Sequence, residues 1–240
     1  GANTYTGNTT INEGTVRLSG ASAALGGISV AGNRTTIRQA GTLDVNAAGA
    51  SNAVTIGLLD GSGLVTNSGG GSGAAATLQL GQATTTTGIG YFTGIVQDGA
   101  GSLGLTKAGA TSSVQYLTGL NTYTGPTTIT SGTLAVTALA NIGQASGIGA
   151  GDASDDDTNA ASLVFNGGVL QYTGANATVW QPTQTPSVSI DRLFTLAGNG
   201  TIDSTGMYGD NDFSGGGFQN AASLILSNTA AVRFAGASGG

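Results

Sequence analysis

A thirteen-residue phrase occurs twice in this chain, as N-T-Y-T-G-N-T-T-I-N-E-G-T over residues 3–15 and as N-T-Y-T-G-P-T-T-I-T-S-G-T over residues 121–133. Ten of the thirteen positions are identical, at an offset of 118 residues (121 − 3). An internal repeat of this kind points to a fold assembled from similar units rather than to one irregular core.

The residues around the phrase say what those units are. Short runs with apolar side chains two apart recur along the chain: T-V-R-L at 15–18, T-L-D-V at 42–45, T-L-Q-L at 77–80, S-L-G-L at 102–105, T-L-A-V at 133–136, S-L-V-F at 162–165, S-L-I-L at 223–226 and A-V-R-F at 231–234. Alternation with period two puts one set of side chains inward and the other outward, the pattern of a half-buried strand. Shorter strands are expected between them, at 28–30, 35–37, 54–56, 127–129 and 194–196, and Phe165, Phe194 and Phe234 fall on the inward register. No stretch carries a helical period.

Strands this short, broken every few residues by Gly, Asn or Ser, fit either a solenoid or a pair of β-sandwich modules. The offset of 118 residues suits two immunoglobulin-like domains of roughly 100 residues each. Against that reading stand the single tryptophan, Trp180, and the brevity of the strands. A parallel β-helix needs corner residues that tolerate positive φ and small side chains that stack from coil to coil, and the chain has 44 glycines among its 240 residues. The expectation is an all-β solenoid over residues 1–240, with about ten coils of roughly 20 to 25 residues and a length of roughly 50 Å. Inserted loops are expected near 150–160, 175–187 and 207–220, where acidic, Pro-flanked and Gly-rich stretches interrupt the pattern.

Composition removes several classes of function. There is no cysteine for a disulfide or thiolate site and no histidine for imidazole chemistry. Net charge is −6, the sequence pI is about 4.1, and the six basic residues are scattered singly. No basic stripe exists for nucleic acid or an anionic membrane surface, and the apolar runs fall far short of the roughly 20 residues that cross a bilayer.

The second copy of the phrase sits in a longer one, with G-S-L-G-L-T-K at 101–107, Y-L-T-G-L-N-T-Y-T-G-P-T-T-I at 116–129 and S-G-T-L at 131–134. This resembles the passenger-associated repeat of bacterial autotransporters, closely over residues 91–143 and in part over 2–26. A further phrase at 168–174 and 191–203 looks like a block found beside such repeats. The resemblance implies a right-handed parallel β-helix, export across a Gram-negative outer membrane, and an extracellular or cell-surface location. It implies no particular ligand.

Candidate chemistry is sparse. Parallel β-helices also host polysaccharide lyases and glycoside hydrolases that use clustered carboxylates, so this enzyme class is the rival to a non-enzymatic structural or adhesive module. The acidic residues fall mainly in loops. Asp155, Asp156 and Asp157 form one group and Asp210 and Asp212 another; both read first as solvated turns, and calcium is the metal such oxygen-rich loops would hold. No other cofactor is expected. Trp180 and Tyr208 lead the aromatic candidates for contact with a carbohydrate or host-surface partner, in a pool that includes Tyr91, Phe92, Tyr172, Phe213 and Phe218. A Ser–Lys dyad would need Lys107, which reads instead as a solvated or corner residue. The stretch Val232 to Gly236 resembles Val114 to Gly119, which leads into the second N-T-Y-T-G, so coils are expected to abut other coils, either in a longer chain or head to tail as a fibre.

Overall fold

The computed structural model describes residues 3, 5–18, 25, 31–46, 52–70, 75–82, 85–173, 187–203, 223–226 and 232–234. Along the chain run β1 (Thr9–Arg17), β2 (Arg34–Asp44), β3 (Asn52–Ile56), β4 (Leu58–Gly61), β5 (Leu64–Thr66), β6 (Ala76–Leu80), β7 (Ile89–Phe92) and β8 (Ile95–Val96). Then come β9 (Leu103–Lys107), β10 (Val114–Leu117), β11 (Thr127–Ile129), β12 (Thr133–Val136), α1 (Asp156–Ala161), β13 (Leu163–Phe165) and β14 (Val169–Tyr172). The series ends with β15 (Ser187–Ile190), β16 (Phe194–Leu196), β17 (Thr201–Asp203), β18 (Ser223–Leu226) and β19 (Val232–Phe234).

Every strand ladder among the described residues is parallel, and the order of pairing gives a helical circuit. One face stacks β1, β2, β4, β7, β10, β12, β14 and β17, each on the next. A second face continues from the long, bent β2, whose Arg34–Ile37 half pairs with β4 while Thr42–Asp44 pairs with β5 and β5 with β8. The third face stacks β3, β6, β9, β11, β13, β16 and β19. The chain is therefore a parallel β-helix, with eight coils among the described residues, numbered 1 to 8 by the first-face strands β1, β2, β4, β7, β10, β12, β14 and β17. The coils are longer than 20 to 25 residues wherever a loop is inserted: Leu117 precedes its partner Val136 by 19 residues (136 − 117), whereas Val136 precedes Tyr172 by 36 (172 − 136), the interval that holds α1.

Side chains stack in columns because parallel strands in register place equivalent positions about 4.8 Å apart. On the third face one inward column runs Ile56, Leu80, Lys107, Ile129, Phe165 and Leu196, and a second runs Val54, Leu78, Leu105, Thr127 and Leu163. Phe165 and Phe194 meet edge to face at 5.6 Å, as the alternation requires. On the first face the column runs Ile37, Gly61, Phe92, Leu117, Val136 and Tyr172, with Phe92 wholly buried beside the glycine. Phe234, Trp180, Tyr208, Asp210, Asp212, Phe213, Phe218 and the expected strand at 28–30 lie outside the described side chains, as do the loops at 175–187 and 207–220 apart from Ser187 at the start of β15. Val114–Leu117 and Val232–Phe234 resemble each other in sequence but occupy different faces, so the likeness marks no equivalent position.

Candidate functional site

The repeat phrase supplies polar side chains to the interior. Lys107, expected at a solvated or corner position, is wholly buried between Leu80 and Ile129. Its Nζ donates to the Ala108 carbonyl, to Ser113 Oγ at 2.7 Å and to the Ser131 carbonyl at 3.4 Å. Alternation along β9 put it there: Leu103 and Leu105 point inward, so Lys107 does too, and oxygen ligands satisfy its charge. Burial pulls the ammonium pKa down to about 8. Ser113 and Lys107 have the contact of a base and its hydroxyl. Both are sealed in the core, however, and Ser113 Oγ is also within 2.8 Å of the Ala110 carbonyl, its acceptor. The pair therefore fastens coil 4 to coil 5 rather than meeting a substrate.

Gln115 reaches further. It points inward on β10, and its amide crosses the strand below at Gly90 to donate from Nε2 to the Leu59 carbonyl at 2.7 Å and accept the Leu59 N–H at Oε1 at 2.9 Å. A Cβ at Gly90 would sit 2.5 Å from that Oε1, so glycine keeps the passage open. Asn121, the first residue of the repeated pentapeptide, accepts the Val96 N–H at 2.8 Å and donates to the Gly147 carbonyl at 3.1 Å. Tyr123 is wholly buried, and its hydroxyl lies 2.7 Å from Thr127 Oγ1. Thr127 spends its own proton on the Ile148 carbonyl, so Tyr123 is the donor. Burial raises the Tyr123 pKa. The first copy repeats the spacing, with Tyr5 hydroxyl bonded to Thr9 Oγ1, yet Tyr5 is 42% exposed.

What covers Tyr123 is the segment 146–151, which bonds to its carbonyl through Ala150 N–H at 2.9 Å and Gly151 N–H at 3.2 Å. Arg192, buried in coil 7, holds that segment: Nε donates to the Ala140 carbonyl, and Nη2 to the Gly149 carbonyl at 2.7 Å. Of the acidic candidates, Asp155 caps α1, accepting the Thr158 N–H at 2.8 Å while Thr158 Oγ1 accepts the Asp155 N–H. Asp156 and Asp157 occupy the first turn, where the helix dipole favours negative charge. Asp155, Asp156 and Asp191 share a cavity of about 250 Å³ with Ile142, Ala153, Asn159 and Leu193. Asp191 there accepts the Ile142 N–H at 2.9 Å, and among the described residues no three carboxylates converge on a metal position.

The outer surface offers a different feature. Tyr91 and Tyr116 are register partners on β7 and β10, stacked at 4.6 Å with planes 9° apart. Ile89, Ile95 and Leu120 are exposed nearby. Tyr116 was not among the sequence candidates, but its distance of 25 residues (116 − 91) from Tyr91 equals one coil and would have paired them.

A β-helix in which the N-T-Y-T-G phrase recurs, its second copy turned inward to fasten coils, is a repeat solenoid. The passenger-associated-transport-repeat family model matches residues 1–18 and 105–136, the two places where that phrase stands, so the chain carries this repeat. Over 134 residues, 54% of this chain, it is 42% identical to the adhesin BmaC autotransporter of Brucella suis biovar 1 (strain 1330), and spans 3% of that protein's length. No solved structure matches the chain. Among the described residues no helix is long and apolar enough to cross a membrane.

Proposed function

We propose that this segment is a non-enzymatic, adhesive β-helical module of an autotransporter-type passenger, displayed extracellularly or at the cell surface. The observation that carries the reading is how the repeat is used: Lys107, Ser113, Gln115, Asn121, Tyr123 and Thr127 all turn inward and fasten coils. Its motif is architecture, and the similarity to an adhesin autotransporter supports the adhesive role. Coils of this kind stack on further coils, in a longer array or end to end between copies.

Fluorescent beads coated with the purified chain should adhere to epithelial cells above beads coated with albumin. The same preparation should release no reducing or unsaturated ends from neutral or acidic polysaccharides. Turnover abolished by Asp210→Ala or Asp212→Ala would replace this reading with that of a carbohydrate-active enzyme, and beads that do not adhere would remove the adhesive role.

A further inference from the structure

The outer face of coils 2 to 5 contains a step. Tyr91 and Tyr116 stack between adjacent coils, so their ring planes lie across the solenoid axis, and the face of Tyr91 opposite Tyr116 is directed toward coil 3. The register that pairs Gly61 with Phe92 places Asp60 beneath that face. Asp60 is short and clamped down: Oδ1 accepts the Tyr91 N–H at 2.7 Å and Oδ2 takes Arg34 Nη1 at 2.6 Å. The Asp60 side chain keeps 17% of its surface exposed and that of Arg34 36%, while Tyr91 remains 54% exposed. The result is an aryl wall, backed by a second ring, above a floor of one carboxylate and one guanidinium.

We propose that this step is a binding subsite for a neutral hexose unit of a polysaccharide, an assignment that rests on the adhesive reading and names its target chemistry. A pyranose presents a C–H face that packs on an aromatic face, and hydroxyls at its rim that donate to a carboxylate and accept from a guanidinium. Tyr116 holds the Tyr91 ring in place before anything binds, which lowers the ordering cost of association. Charge selects against an acidic sugar: Arg34 is already neutralised by Asp60, and the chain carries −6 overall. Size selects against a stable pair of chains. The apolar band is two coils high, about 10 Å, whereas a stable interface buries about 800 Å² per partner. A single polysaccharide strand fits that width.

The test is affinity electrophoresis of the purified chain through gels containing hydroxyethyl cellulose, soluble starch, galactomannan or polygalacturonate. At least one neutral polymer should retard it, with affinity falling about tenfold, or ~1.4 kcal/mol, in Tyr91→Ala. Tyr91→Phe, which keeps the ring, and Tyr5→Ala, at a different exposed tyrosine, should leave it unchanged. Circular dichroism verifies that each variant folds. Retardation by polygalacturonate alone, by no polymer, or equally in Tyr91→Ala overturns the assignment. So does sugar-free self-association in sedimentation that Tyr91→Ala abolishes, which would give the band to a second copy. Beads that still adhere to cells after the sugar result fails leave the adhesive reading standing without this subsite. Beads that fail to adhere while the gels retard the chain remove that reading and keep the subsite.

Discussion

Lys107 shows what one ionisable group costs inside a solenoid. Its pKa in the folded chain is about 8, below the usual 10.5, so folding favours the neutral amine. Between those values the unfolded chain binds more protons, and stability contributed by this group rises with pH; it is lost again as pH falls toward 8. Tyr123 works in the opposite direction at the alkaline end, because its raised pKa makes ionisation above about 10 favour unfolding. The difference between wild type and Lys107→Met isolates the lysine. Denaturant titrations from pH 7.5 to 10.5 should show wild type gaining on the variant by up to about 1.4 kcal/mol per pH unit, and parallel curves would contradict the buried placement. Tyr123→Phe should cost about 1 kcal/mol, the net worth of a hydrogen bond, since it removes the donor to Thr127 while Thr127 keeps its bond to Ile148. Asp44 behaves as an acid-side counterpart. Burial opposes its charge, yet hydrogen bonds from Ser68, Arg17 and Asn46 outweigh that and lower its pKa, so its contribution is present above the ordinary carboxylate range and disappears as the pH falls through the lowered value.

At the scale of elements, α1 is the one helix among the described residues, and its start is set by Asp155. Asp155→Ala should destabilise the inserted loop by about 1 kcal/mol, read as faster amide exchange at Thr158 and Asn159 with little change at β11 or β13. Uniform loosening of all three would mean that the cap stabilises the coils themselves. The strands were legible in the sequence because alternation is a strong signal even over four residues: T-L-Q-L became β6, T-L-A-V became β12 and T-T-I became β11. The helix was not, since six residues make fewer than two turns and show no period, although the spacing D-x-x-T of a capping pair was present in Asp155 and Thr158. Lys107 was misplaced for another reason. Its alternation agrees with Leu103 and Leu105, and that register, not its charge, decides that it points inward. The stacked tyrosines were hidden because a single residue number carries no information about the coil below it; only the coil length converts Tyr91 into a neighbour of Tyr116.

Across the whole molecule, polar side chains link successive coils on its outside as well as its inside. Arg17, Asp44 and Ser68 join coils 1 to 3, with Arg17 Nε 2.7 Å from the Asp44 carboxylate. Arg34, Asp60 and the Tyr91 N–H join coils 2 to 4. Asp98 accepts the Leu103 N–H and the Thr124 hydroxyl at the junction of coils 4 and 5. Solenoid stability is a sum of such nearest-neighbour terms, so local damage should open a few coils rather than the whole rod. Gln115→Leu leaves the Leu59 N–H and carbonyl without their side-chain partner, at about 1–3 kcal/mol. Hydrogen exchange should quicken at Leu59 in coil 3 as well as in β10, while β16 stays protected; exchange confined to β10 would deny the link. That side chain also sets the grain at which such a rod can be lengthened or shortened by recombination. Excising the single coil containing Gly90 would close the strands neatly yet leave Gln115 pressed directly on Leu59, one coil too near, with no gap to cross. A rod shortened by that one coil should therefore unfold at lower denaturant than one in which Leu59, Gly90 and Gln115 are kept in their three successive coils.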